Sequence, residues 1–486
     1  MTLYDKILGE TIKKFGKNIA LLFNECQYTY EELNVEVIRL ARCFDEKGIK
    51  KGNKVVVSSN NPMTNALLLL AILYVEAIPM PVFAKTGQKK LMSLLETYEV
   101  NYMISNFVVS GLEDRQINIE TYPELFFYKL GLTEDFELDN TRLILFSSGT
   151  TSTPKAIMLS ENNIFSNVKS ISAYLKLCNS DSILLVKELS HSSSIIGELF
   201  VGLYNGCKIV FSNYLPIASY ILEMLSVNKV TVFFAVPTLL KGIIEYGCLK
   251  NFDLMALRII NFYGASMNAG DITKLVDLFP DTNIIYSYGQ TEASPRVTYI
   301  EKKDIMVHSG SCGKPIEDVM VSVINNGVVC DVRQIGEVVV QGPNVMLGYY
   351  RDMERTRLAV REGRLFTGDY GYLDEDGFLY ITGRKDNMII SAGKNIYPEE
   401  IEGVLMSYPN ILEALVRPCY KANSTCDLYA YVVVEENVEI DKKDLFLYCK
   451  EHLEVYKIPK SVFVVKELEK TMSGKIIRGQ RIQILE

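Results

Sequence analysis

Short apolar runs separated by helical patterns recur between Lys54 and Phe262, and that rhythm admits few architectures. Lys54-Val55-Val56-Val57 reads as a short buried strand, Ala66–Val75 as a buried helix, and Ala77-Ile78-Pro79-Met80-Pro81-Val82 as a return to extended chain. The same beat continues at Ile209-Val210-Phe211, Thr231-Val232-Phe233-Phe234 and Arg258-Ile259-Ile260-Asn261-Phe262. Strand–helix–strand repeats bury both faces of a parallel sheet under helices, so an α/β layered fold is expected. Ahead of them, Thr29 followed by Glu32 fits a capping box, with an apolar-periodic helix from Leu33 towards Phe44 and a Gly48–Gly52 stop.

The texture changes twice. From Val321 to Tyr350 it is β-rich with glycine-containing turns. Beyond Asp386 the pattern suits a small α+β unit: Pro398–Met406 helical, Tyr429–Val434 a strand, Lys442–His452 helical. The expected organisation is a large domain over residues 1–385, built of α/β layers plus a β-rich subdomain, and a small C-terminal domain over 386–486.

Composition narrows the function. With 486 residues, 48% of them hydrophobic, the chain can bury sizeable cores. A formal net charge of -8 argues against broad phosphate-led nucleic-acid binding. The Ala66–Val75 run is far short of the ~20 residues that span a bilayer. The N-terminus Met1-Thr2-Leu3-Tyr4-Asp5-Lys6 carries no secretory pattern. Ten scattered cysteines without a CxxC pair fit reduced thiols, so a cytoplasmic protein without membrane or nucleic-acid partners is expected. Only three histidines are present, which leaves little material for a zinc site or a Ser-His-Asp triad.

Residues 143–160 carry the first chemical signal. An apolar run, Leu143-Ile144-Leu145-Phe146, ends in Ser147-Ser148-Gly149-Thr150-Thr151-Ser152-Thr153-Pro154-Lys155. Small hydroxyl residues around a glycine offer hydroxyl and backbone N–H donors that can wrap an anion, and Lys155 adds positive charge; a triphosphate suits this loop. It is not a Walker loop, because GxxxxGK[ST] is absent.

Five further segments follow at ordered spacing: Phe262-Tyr263-Gly264-Ala265-Ser266-Met267, Tyr286-Ser287-Tyr288-Gly289-Gln290-Thr291-Glu292, Leu365-Phe366-Thr367-Gly368-Asp369, Ile381–Glu402 with Gly383-Arg384-Lys385-Asp386, and Lys470-Thr471-Met472-Ser473-Gly474-Lys475. Together with the phosphate loop they resemble, over nearly the whole chain, the adenylate-forming superfamily of acyl- and aryl-CoA ligases, peptide-synthetase adenylation domains and firefly luciferase. The acyl/aryl-CoA ligases are the nearest in pattern. Two departures stand out: Ser152 replaces a customary glycine, and the proline common just upstream of the Lys475 loop is missing.

The resemblance implies roles. Ser147, Ser148, Gly149, Thr150, Thr151 and Lys155 would cradle the phosphates of ATP. Gly264, Ala265 and Ser266 would lie against adenine, with Tyr288 stacked on it and Gly289 and Gln290 alongside. Thr291 would contact the α-phosphate and Glu292 would help hold Mg²⁺. Asp369 would accept from both ribose hydroxyls and Arg384 would reach ribose or phosphate. Lys475 would bridge the substrate carboxylate and the α-phosphate. Asp386 would be the hinge about which a mobile small domain turns, and Gly393 would line the thiol tunnel.

The implied reaction is ATP-dependent activation of a carboxylic acid to an acyl-AMP, then transfer to a thiol. Coenzyme A is the first expectation for that thiol. The phosphopantetheine of a carrier protein is the alternative, and a non-catalytic nucleotide or acyl-AMP sensor is a third reading. His191 stands where relatives line and gate the acyl pocket, so it is counted with Lys475, Thr291 and Glu292 in the catalytic set. Amino-acid-activating relatives carry an aspartate in this region, and none occurs between Val186 and Gly197. A neutral-tailed aryl or short- to medium-chain acid is therefore expected, with Tyr263, Tyr286 and Ser287 in its pocket; their rings and hydroxyls tilt the expectation towards a small or hydroxylated aromatic acid.

Overall fold

The structure is a computed structural model that describes all residues except 1, 118, 132–137, 148–153, 247, 392–393, 421–425, 436–437, 471–475 and 480–486. Its largest sheet runs, edge to edge, Lys314–Pro315, Arg296–Glu301, Asn283–Gly289, Ile259–Tyr263, Val232–Ala235, Ser182–Leu185, Lys208–Phe211, Ile19–Phe23, Cys26–Thr29. The strands from Asn283–Gly289 to Ile19–Phe23 pair in parallel, and the flanking ones are antiparallel.

Strand alternation splits the core in two. Ile183, Leu185, Ile209, Phe211, Val232, Phe234, Ile259 and Ile285 face one side. There they meet Leu33, Val37, Leu40 and Phe44 of the helix Tyr30–Glu46, and Ile164, Val168 and Ile171 of Glu161–Leu175. Leu184, Val210, Phe233, Ile260, Phe262 and Ile284 face the other side. Their partners include Ile221, Leu222 and Leu225 of Ala218–Val227, and Leu239, Leu240 and Ile243 of Pro237–Tyr246. Burying each of these side chains contributes about 1.5–3 kcal/mol, and the period of two decides which core receives it.

Thr29 does cap the helix Tyr30–Glu46: its hydroxyl accepts from Glu32 N at 3.2 Å while Glu32 Oε2 accepts from Thr29 N at 2.8 Å. Lys54–Ser58 is a wholly buried strand, paired in parallel with Ile78–Pro81 in a second sheet. The helix between them starts earlier than periodicity suggests, at Pro62, because Asn61 accepts from Thr64 N and proline suits the first turn. The β-rich stretch forms an antiparallel sheet with Met320–Asn325, Gly336–Gln341 and Arg364–Leu373 at its centre.

Past Arg384 a separate core begins. Ile389, Ile401, Leu405, Ala414, Val416, Ala430, Val432, Leu445 and Cys449 pack with one another and not with the two sheet cores. They lie on the helices Pro398–Ser407 and Lys442–His452 and the strands Ile411–Tyr420 and Cys426–Val434. Among the described residues, no helix is long and apolar enough to cross a membrane.

Candidate active site

The strand order itself makes a crevice. Ser182–Leu185 pairs with Lys208–Phe211 on one side and with Val232–Ala235 on the other, so the chain leaves this strand's neighbourhood in both directions. Ligands in open α/β sheets settle beyond the carboxyl ends of strands at such a point. The residues found there are Lys187–His191, the Val236-Pro237-Thr238 turn, Gly264–Ser266 and Gln290–Glu292.

The phosphate loop joins two antiparallel strands, Thr141–Phe146 and Ala156–Ser160, instead of a strand and a helix. Ser147 N donates to Lys155 O at 3.0 Å and closes its base. The Ser147 hydroxyl is buried without a protein partner among the described residues. Ser148, Gly149, Thr150, Thr151 and Ser152 lie outside the described residues.

Lys155 is tied to the expected metal ligand through a residue that motif reading missed. Its Nζ sits 5.1 Å from the centroid of the Tyr349 ring. The Tyr349 hydroxyl donates to Glu292 Oε1 at 3.0 Å. Burial, then the Glu292 carboxylate, pushes the Tyr349 phenol far above its usual range, so it stays a donor. Pairing of Tyr349 with Ile157 places the ring beside the phosphate loop, and Met346 N donates to Glu292 O at 2.9 Å. Only the tertiary pairing of a strand two hundred residues downstream creates this link; no local signal marks Tyr349.

Thr291 and Glu292 sit in a short 3-10 turn directly after the strand Asn283–Gly289. A side chain at position 289 would collide with the Pro295 carbonyl at 1.9 Å, so glycine is required for the chain to fold back here. The Thr291 and Ser192 hydroxyls are hydrogen-bonded at 3.1 Å. Gln290 Nε2 is buried without a protein partner among the described residues. His191, half-buried, is the N-cap of the turn that begins at Ser192, and its carbonyl accepts from Ile195 N at 3.0 Å. Thr291 and His191 are thus one hydroxyl pair apart.

Of the residues expected to lie against adenine, Gly264, Ala265 and Ser266 are exposed, and nothing among the described residues stands within 4 Å of where a Gly264 side chain would begin. Tyr288, half-buried, donates its hydroxyl to Asp369 Oδ2 at 2.5 Å. Arg384 Nη1 donates to Asp369 Oδ1 at 2.7 Å. Both carboxylate oxygens of Asp369 therefore carry protein donors, which differs from an aspartate free to accept from both ribose hydroxyls. Asp369 and Arg384 are cross-strand neighbours in register, and Gly368, at φ +73°, turns the strand so that they meet.

The expected acyl pocket divides. Tyr263 and Ser287 share one face of the sheet, whereas Tyr286 lies on the opposite face, stacked on Phe262 at 4.9 Å within the second core. Adjacent residues of a strand point to opposite sides, so Tyr286 cannot line a pocket with Ser287. Ser287 is wholly buried, accepting from Asn261 Nδ2 at 2.8 Å and hydrogen-bonded to Tyr174 at 3.3 Å. Tyr263 is more revealing. Its hydroxyl donates to the fully buried Glu198, Arg296 Cζ lies 4.1 Å from its ring centroid, and Lys187 Nζ lies 4.6 Å from it. Burial pushes the Glu198 carboxyl up to about 7, against the Tyr263 bond, Lys187 and Arg296, which pull it down. A charged residue inside the apolar run Ile195-Ile196-Gly197-Glu198-Leu199-Phe200 was the available signal for Glu198.

Asp386 is exposed in the turn Lys385–Asn387, between the last strand of the β-rich sheet and the hairpin Ile389–Ser391/Lys394–Ile396. Lys385 Nζ donates to Glu337 Oε2 at 2.8 Å on the large-domain side. Gly393 and Lys475 lie outside the described residues. Arg478, just beyond Lys475, donates to Glu399 at 2.9 Å and Glu402 at 2.7 Å. Among the described residues no cluster of three metal-ligating side chains occurs. The lone Glu292 fits Mg²⁺, which is commonly held by one or two carboxylates plus substrate phosphates.

Comparison with known proteins identifies the family. Residues 8–350 match the AMP-binding enzyme family and 400–475 match the AMP-binding enzyme C-terminal domain. The 2-succinylbenzoate–CoA ligase of Bacillus cereus (strain Q1) is 28% identical over 473 residues, 96% of each chain. The O-succinylbenzoate coenzyme A synthetase (MenE) of Bacillus subtilis in complex with AMP superposes with a TM-score of 0.87 at 26% identity, covering 99% of this chain and 98% of that one. The same enzyme has been solved with the acyl-adenylate intermediate OSB-AMP, and with ATP and a magnesium ion. The chemistry is ATP-dependent activation of a carboxylic acid to an acyl-AMP, followed by transfer to a thiol. Both family matches lead to one assignment: the chain belongs to the AMP-binding enzyme family of adenylate-forming acid–thiol ligases.

Proposed function

We propose that this enzyme makes the coenzyme A thioester of an aryl or short- to medium-chain carboxylic acid in the cytoplasm, with 2-succinylbenzoate, the acid in the relatives' names, as the first candidate. The observation that carries the reading is the chain Lys155–Tyr349–Glu292, which joins the phosphate loop to the carboxylate suited to Mg²⁺. Mg²⁺, when bound, offsets negative charge on the phosphates.

In the first half-reaction a substrate carboxylate oxygen attacks Pα, the bond from Pα to the bridging oxygen breaks, and pyrophosphate leaves. Lys155 and Ser147 hold phosphate oxygens, Thr291 positions Pα, and Asp369 with Arg384 holds the ribose. Lys475 stabilises the charge that develops between carboxylate and Pα. In the second, the thiol sulfur attacks the acyl carbonyl, AMP departs, and the thiol proton passes to solvent. A turn of the small domain about Asp386 exchanges Lys475 for the Gly393 segment, so one crevice serves both steps. Both groups lie beyond Asp386 in the chain, which makes a single rotation sufficient.

The test is pyrophosphate release with Mg-ATP over a panel of aryl and aliphatic acids, with and without coenzyme A. Acid-dependent release followed by a CoA thioester supports the reading. Release without a thioester would move the acceptor to a carrier protein. No release with any acid would overturn it in favour of a sensor.

A further inference from the structure

Arg296 opens the strand Arg296–Glu301, and only 3% of its surface is exposed. Its Nε and Nη2 have no protein partner among the described residues. These two nitrogens are not an arbitrary pair. Nε–H and the nearer Nη2–H point the same way from the guanidinium plane and form the side-on fork that grips a carboxylate with two parallel bonds. Taking two guanidinium N–H donors out of water without supplying acceptors for them is costly. The Tyr263 ring, 4.1 Å away, offsets part of that cost but cannot accept at the fork edge.

The surroundings favour an anion. Lys187 also lies against the Tyr263 ring, so two cations flank one carboxyl group, Glu198. Among the described residues Glu198 Oε2 is buried without a hydrogen-bond partner and no ion pair joins Glu198 to Arg296, although they share Tyr263. Each member of the cluster is close in the chain to a residue of the proposed site: Tyr263 precedes Gly264, Glu198 follows Ser192, and Arg296 follows the turn of Thr291 and Glu292. Arg296 Nη2 also lies 3.5 Å from where a side chain at Gly197 would begin, on the segment that continues from His191 and Ser192.

Resting on the ligase reading above, we propose that the acid substrate carries a second carboxylate, remote from the one that is activated, and that the Nε/Nη2 edge of Arg296 receives it. Lys187 adds to the positive field, and Glu198 with Tyr263 fixes the orientation of the cluster.

The test compares acids that differ only by the second carboxylate, such as 2-succinylbenzoate against 4-oxo-4-phenylbutanoate, together with aliphatic di- and monocarboxylate pairs. In pyrophosphate release by the wild-type enzyme, kcat/KM should favour the dicarboxylate by about 100-fold or more, the scale expected when a buried hydrogen-bonding site is left unpaired. In R296Q the ratio should collapse towards one; in R296K, which keeps the charge and loses the fork, it should fall to an intermediate value. Equal wild-type rates on both members of every pair, or an R296K ratio equal to wild type, would overturn the proposal. Calorimetric binding of the same pairs to wild type and R296K separates the two readings. Arg296-dependent binding of the dicarboxylate without pyrophosphate release would sink the ligase assignment alone; equal binding of both acids would sink the fork.

Discussion

Asp369 and Arg384 face each other in register across two antiparallel strands, with Nη1 donating to Oδ1 at 2.7 Å, while Tyr288 holds the other oxygen at 2.5 Å. A ribose hydroxyl that binds Asp369 must share or displace one of these donors. Asp369→Asn keeps the shape and removes the charge that holds Arg384. We expect the KM for ATP to rise about 10- to 100-fold, the range of a lost charge-assisted hydrogen bond of ~1.5–3 kcal/mol. Initial rates at varied ATP would decide it, and an unchanged KM would remove Asp369 from the nucleotide site.

Tyr349→Phe deletes a hydroxyl that bonds Glu292 and keeps the ring under Lys155. The expected outcome is a requirement for several-fold more Mg²⁺ at half-maximal rate, with folding intact. A Mg²⁺ titration identical to wild type would show that the bond does not orient the carboxylate.

Lys475→Ala should lower pyrophosphate formation by at least about 100-fold, as for loss of one preorganised charge-stabilising group. Thioester formation from chemically supplied acyl-adenylate should be nearly retained, because the proposed function assigns the lysine to the first step alone. Equal loss in both half-reactions would contradict the proposed exchange of groups about Asp386.

Glu198 gives a pH signature in stability. Its folded carboxyl is raised, chiefly by burial, from 4.5 to about 7, among Tyr263, Lys187 and Arg296. The protonated form's contribution is therefore complete below the unfolded value and is lost as pH rises through about 7. Glu198→Gln mimics that form and can still accept from Tyr263. Melting temperatures of the two proteins should agree near pH 5, with wild type falling behind by pH 8. Parallel curves over that range would show that Glu198 stays ionised in the fold.

Thr29→Ala removes the helix cap that Glu32 reciprocates. Denaturant titration should show a loss of about 1 kcal/mol.

Much of this was legible in the chain as a string. Short β-branched runs such as Val55-Val56-Val57 and Ile259-Ile260, bounded by polar residues, read as strands covered on both faces. The capping box at Thr29 and Glu32 is local chemistry and needs no tertiary context. The residues expected at the nucleotide, Gly264 and Gly289 among them, were legible through the resemblance of their segments to the adenylate-forming superfamily.

What only the tertiary structure decided is which side chains meet. Tyr286 and Ser287 are neighbours in sequence and lie on opposite faces of a sheet; Tyr349 and Glu292, far apart in sequence, share a hydrogen bond. Nothing in the sequence singles out Arg296; the fold brings it against Tyr263 and beside the helix of Glu198. Local periodicity specifies the element and the alternation of its faces, but partner, register and burial depend on contacts between distant segments, and those contacts decide which charges meet.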